Sequence, residues 1–169
     1  MKEEIINRVA KSKLITIDLA EYFPKEEIVE LDIKSLLYKE AVLKEKEFRL
    51  KLKSMDFVTF KGKIIALFCS KEAIIPMWAY MLISSHLNPY CDQIYYGKKE
   101  TVIQHIMLEK IKLINENEFL EKKVIVKGCG SIPLSESLYI GITKKLQNTV
   151  SSLMFGEACS AVPIYKKRK

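Results

Sequence analysis

From position 63 onward the hydrophobic pattern switches repeatedly between two periods, and this alternation restricts the fold more tightly than any other feature of the chain. Apolar, β-branched runs predict strands over 63–68, 93–97, 123–128 and 151–155. Apolar residues three and four apart predict helices over 76–87, 99–114 and 135–148. Strands alternating with helices of this length build parallel βαβ units with right-handed crossovers and helices on both sheet faces. The predicted class is therefore α/β: a three-layer, mostly parallel, doubly wound sheet. The first of these helices is apolar nearly all round, which suits an element buried beneath other parts, and its Trp78 reads as core.

Before position 63 the pattern is less regular and predicts an α+β segment. Residues 3–11 read as a short helix with Ile5, Ile6 and Val9 on one face, and 14–19 as a strand. After Pro24, residues 27–33 read as a second strand, with Asp32 capping a helical turn toward Tyr38. A short strand over 41–43 is expected to lead into an exposed amphipathic helix carrying Phe48, Leu52 and Met55. At 169 residues, 49% of them hydrophobic, the chain is long enough for one domain with a real core. Residues 1–60 are expected to pack on a 61–169 βα core.

Three cysteines end three of the predicted strands: Cys69, Cys129 and Cys159. Cys129 lies in the stretch KKVIVKGCGSIP, between a strand and the helix that Ser135 opens, and Cys129 and Cys159 share the spacing C-x-x-x-P. Ligands of open α/β sheets gather outside the carboxyl ends of the strands. If the four regular strands take the order 2-1-3-4, the first, third and fourth are neighbours, about 4.8 Å apart. Three thiols could then share one metal at Zn–S distances near 2.3 Å. Ser70, Gly130, Ser131 and Ser160 leave room beside them. Glu157 is the first candidate for a fourth ligand, since His105 falls on a polar helix face, His86 at the wrong helix end, and Asp18 on an unplaced strand. An open fourth position would instead take substrate, water or a partner's ligand. Cys91, at the amino end of its strand, reads as an inert buried thiol.

Composition narrows the alternatives. The start of the chain has no apolar signal core, and the run 73–86, which contains Pro76 and ends in polar residues, falls short of the roughly 20 apolar residues a membrane span needs. A cytoplasmic protein with reduced thiols or thiolate metal ligands is expected. The net charge of +7 comes from 25 Lys against 3 Arg, which reads as a solvated surface better than as a phosphate-gripping one. Gly128-x-Gly130 lacks the third glycine of a dinucleotide fingerprint, and no glycine loop runs into G-K-[ST]. The stretch CGSIPLS has no arginine for a thiol phosphatase's phosphate.

The segments EEIINRVA, AIIPMWAYML, VKGCGSIP and MFGEACSAVPIYKK together resemble the bacterial family called domain of unknown function 2480, across the whole chain. That family has no established activity, so the resemblance carries over no catalytic residues. It implies a neighbourhood of iron–sulfur assembly, with assembly proteins as partners, and tilts the metal toward an iron–sulfur cluster. The leading expectation is a protein binding zinc or an iron–sulfur cluster through Cys69, Cys129 and Cys159. The alternatives are a thiol enzyme or sulfur carrier using Cys129, its thiolate favoured by the following helix N-terminus, and a basic nucleic-acid or protein-binding module ending in KKRK, for which nucleic acid is the disfavoured partner.

Overall fold

A computed structural model describes residues 14–91, 93–128 and 134–168. The helix expected over 3–11 lies outside them. In chain order the described elements are β1 (Leu14–Asp18), β2 (Ile28–Asp32), α1 (Glu45–Ser54), β3 (Ile64–Phe68), α2 (Met77–Leu87), β4 (Gln93–Tyr96), α3 (Lys99–Lys112), β5 (Lys123–Lys127), α4 (Glu136–Leu146), β6 (Ser152–Phe155) and β7 (Val162–Lys166). The α/β class and the predominantly parallel pairing are as the pattern predicts. The predicted strand over 41–43 is reduced to a single bridge between Tyr38 and Val42, and β7 and the short 3-10 turns before β3 and β5 were not expected.

The expected order of strands is corrected. There are two sheets, β2-β3-β4 and β1-β5-β6-β7, parallel throughout except for β7. β3 pairs with β4 and β5 with β6, as the order 2-1-3-4 requires, but β3 and β5 are not partners. The strands read as an irregular N-terminal segment take those places, β2 on β3 and β1 on β5. Ile64 to Leu67 of β3 and Val124 to Val126 of β5 are buried, so each strand needs a partner along both edges, and β2 and β1 supply the second partner that β3 and β5 were expected to find in each other.

The chain forms two compact units, one inserted in the other: Pro24–Ile103, and the flanking unit made of the described residues up to Phe23 and from Gln104 on. They are built on one repeating plan. β3, α2 and β4 recur as β5, α4 and β6 with equal lengths, each starting 59 positions later: Ile64 and Lys123, Met77 and Glu136, Gln93 and Ser152. Strand registers recur too, since Ile28 faces Ile64 as Leu14 faces Lys123. Even the loop bonds match: the Gly62 N–H donates to Tyr90 O at 3.2 Å, and the Glu121 N–H to Thr149 O at 3.0 Å.

The caps show why the same local structure forms twice. Asp18 and Asp32 end the first strand of each unit, and each Oδ1 accepts a backbone N–H two residues on, from Ala20 and Lys34, at 3.0 Å. Asp56 and Asn115 do the same at the turns before β3 and β5. A short polar side chain that satisfies an orphan amide starts a helical turn there. After β4 and β6 stand Gly97 and Gly156, with φ of 130° and 108°, a region open to glycine and strained for other residues. In the inserted unit, Ile33, Leu37, Phe48, Leu52, Ile65, Ala79, Ile83 and Leu87 close a core without exposed surface or nearly so. Phe48 meets the edge of Trp78 at 5.8 Å. Trp78 is thus half-buried on the core, while Met77 and Met81 of the same helix face outward, so α2 is not covered all round.

Candidate functional site

On the flanking sheet, β1, β5 and β6 are parallel neighbours, and the residues following them leave from the same carboxyl rim. Asp18 ends β1, where its carboxylate both caps the next turn and stands 3.5 Å from the Lys127 ammonium. Cys129, Gly130 and Ser131 follow β5 and lie outside the described residues. Cys159 follows β6 and is exposed, as are Glu157 and Ser160 in the same turn, which the Ser160 N–H closes onto Glu157 O at 2.9 Å. Gly128 is closely covered by side chains: a Cβ there would meet Leu134 and the Tyr139 hydroxyl, which donates to Gly128 O at 3.4 Å, so one of the two would have to move.

Cys69 belongs to the other sheet. Its strand, β3, is flanked by β2 and β4, which end in Asp32 and Tyr96 rather than in thiols. The side-by-side strand ends from which three converging thiols were expected are therefore absent, and Cys69 does not join the others by strand adjacency. Among the described residues no group of three His, Cys, Asp or Glu side chains is placed to hold a metal ion. Cys91 is buried, and its Sγ–H donates to Leu87 O at 3.3 Å, as expected of a structural thiol. His86 points Nδ1–H at Leu82 O, 2.9 Å away, and His105 pairs with Glu109 on an exposed helix face.

The rim of the inserted sheet has its own constellation, which the sequence reading did not identify. The Ser70 N–H donates to Asp32 Oδ1 at 3.1 Å, closing the loop after β3 onto the end of β2. Burial pushes the Asp32 carboxyl up, but bonds from Ser70 and the Lys34 amide, with the Lys34 ammonium 3.7 Å away, outweigh it and hold Asp32 below the usual carboxylate range. At the end of β4, on the far side of β3, the Tyr80 and Tyr96 rings meet edge to face at 5.7 Å. Burial, reinforced by Tyr96 and by Cys69, pushes the Tyr80 hydroxyl above its ordinary value. The signal that could have found this rim was Asp18 and Asp32 in equivalent contexts, each closing a strand and opening a turn.

The class this defines is an α/β protein of two sheets on a repeated plan, with thiols and carboxylates in the loops after parallel strands. The chain belongs to the family described as protein of unknown function DUF2480, whose model matches residues 3–167. No curated protein and no solved structure matches the chain. No helix of the described residues is long and apolar enough to cross a membrane.

Proposed function

We propose that the protein binds a thiophilic metal, zinc or an iron–sulfur cluster, on the carboxyl rim of the flanking sheet. Cys129 and Cys159 are the thiolate ligands, with Asp18, at the end of β1, and Glu157, in the turn before Cys159, as candidate carboxylates. The observation that carries this reading is the parallel pairing of β5 with β6, from Lys123 opposite Ser152 to Val126 opposite Phe155. It starts the two cysteine loops from adjacent strand ends, about 4.8 Å apart. Two thiolates with carboxylate or water completing the shell suit zinc or a cluster with a non-cysteine position. Cys69, part of a three-thiol set only under a single-sheet order, is not needed. A cluster in this position would fit an accessory role in iron–sulfur assembly, with assembly proteins as partners.

The test is metal content of protein purified without oxygen, read by elemental analysis and visible absorption. Cys129→Ser and Cys159→Ser should each strip most of the metal, because a hydroxyl is poorly ionised where a thiolate is required. Cys69→Ser and Cys91→Ser should retain it. Full loading of both Cys129→Ser and Cys159→Ser would sink the proposal, and a metal-free wild type with one hyperreactive thiol at Cys129 would favour the thiol-enzyme alternative.

A further inference from the structure

The two units part from their common plan at the amino rim of the flanking sheet. β7 runs antiparallel to β6, so it carries the basic end of the chain back to where β5 and β6 begin. There Lys123, Ser151, Ser152, Lys166 and Arg168, with Glu121 and Lys167, line a cleft of about 760 Å³. Lys123 stands opposite Ser152 and Ser152 opposite Lys166. The two lysines therefore leave the same sheet face on either side of a hydroxyl, with about 4.8 Å between neighbouring strands. At the positions 59 earlier the inserted unit has Ile64 and Gln93 in place of Lys123 and Ser152. Ile64 is buried and Lys123 exposed, so the shared fold does not call for the lysine.

One carboxylate lines the cleft, and it is engaged. Glu121 pairs with Lys167, and its hydrogen bond holds that ammonium above the usual lysine range. It does so from a left-handed backbone, φ 56°, at the position where the inserted unit has Gly62, φ 72°. A glutamate in that region is strained, and such strain persists where the surroundings hold the residue in place. Lys123, Lys166 and Arg168 have no carboxylate partner among the described residues.

We infer that this cleft binds a small ligand through a diphosphate group. Charge and size carry the choice. Three unpaired cations around one cleft repel each other, and two phosphate groups, each carrying about −1.5 to −2 at neutral pH, match them better than a single phosphate or a lone carboxylate does. The Arg168 fork suits a phosphate edge through two parallel N–H bonds, the lysines serve as point charges, and the Ser152 hydroxyl adds a donor. The volume falls within the roughly 300–1,000 Å³ of small-molecule sites. Among the described residues no aromatic ring lines the cleft, so a base has no face to stack on and the anionic group itself is recognised. The cleft lies at the opposite end of β5 and β6 from the Cys129 and Cys159 loops and needs no metal there.

The test titrates inorganic diphosphate, orthophosphate, adenosine diphosphate and a single-stranded oligonucleotide into the full chain at matched ionic strength, followed by calorimetry and by amide shifts. Inorganic diphosphate should bind at least about tenfold more tightly than orthophosphate, and adenosine diphosphate within about threefold of inorganic diphosphate. The largest shifts should fall on Lys123, Ser152 and residues 166–168. Lys123→Gln and Arg168→Gln, both at exposed positions that the fold tolerates, should each weaken diphosphate binding about fivefold. Lys61→Gln, at an exposed lysine of the inserted unit, should leave it unchanged. Absent diphosphate binding, equal binding of orthophosphate, or an equal loss in Lys61→Gln overturns the inference. Tighter binding of the oligonucleotide overturns the choice of a small ligand in favour of a nucleic-acid backbone, and adenosine diphosphate tighter by about tenfold overturns recognition of the anionic group alone.

Discussion

Removing the carboxylate of Asp32 tests whether the inserted rim is held together by an acceptor or by a charge. One oxygen accepts two backbone amides, from Lys34 at 3.0 Å and from Ser70 at 3.1 Å. Asp32→Ala leaves both without that partner, and the loss of such a cap costs about 0.5–2 kcal/mol. With two amides affected, about 1–2 kcal/mol is expected, or roughly 3–6 °C in Tm for a chain of this length. Asp32→Asn keeps an oxygen for the amides and loses only charge assistance and the Lys34 pair, which is partly exposed and separated by 3.7 Å, so it should cost about 0.5 kcal/mol or less. Urea unfolding of the three proteins at neutral pH measures both steps. Because the folded-state carboxyl is held below its unfolded value, the charged form's contribution is complete above about pH 4 and is lost as pH falls through the lower folded-state pKa. The gap between wild type and Asp32→Asn should close in that acid range. If Asp32→Asn costs as much as Asp32→Ala, charge and not the acceptor holds the loop, and if Asp32→Ala is silent, the Ser70 contact holds nothing.

Two further substitutions probe each unit separately. Phe48→Ala empties a fully buried site against Trp78 in the inserted core and should cost about 3–5 kcal/mol in urea unfolding; less than about 1 kcal/mol would mean that the core around Leu52 and Ile83 collapses into the space. Gly128→Ala drives a methyl into Leu134 and the Tyr139 hydroxyl and should cost about 1–3 kcal/mol, read in the same assay; a neutral result would show that Leu134 can swing aside.

Elements were legible in the sequence where one strand or helix is settled by its own residues. Val124 to Val126 and Ile64 to Leu67 announce buried strands, and the stripe Leu138, Ile142 and Leu146 announces a helix. Which strand lies beside which was not legible. Leu14–Asp18 and Ile28–Asp32 look alike in composition, and nothing in either strand's own residues says which of β3 and β5 it joins. The repeat was hidden because few side chains survive it. Tyr80 and Tyr139, Ile83 and Ile142, Leu87 and Leu146, Gly97 and Gly156 match, while around them lysine stands opposite phenylalanine or leucine. β7 was missed because Pro163, its second residue, speaks against a strand unless the strand lies at an edge, as β7 does. The site expectation inherited the error in strand order: β5 and β6, which precede Cys129 and Cys159 in the chain, are neighbours, whereas β3, which precedes Cys69, lies in the other sheet.

The insertion of one unit inside the other also sets an order of events during synthesis. Residues 24–103 are continuous, so all three strands of that sheet leave the ribosome before β5 does. Leu14 must wait for Lys123, and β6 for still later residues, before β1 has any ladder to join. Loop closure over that span is slow beside the local pairings of the inserted unit. For that interval β1 is a strand of the nascent chain without its partner, and both its edges can pair wrongly. The ribosome therefore presents a finished sheet and an orphan strand on the same chain, a stage at which a chaperone would find Ile15 and Ile17 before β5 does.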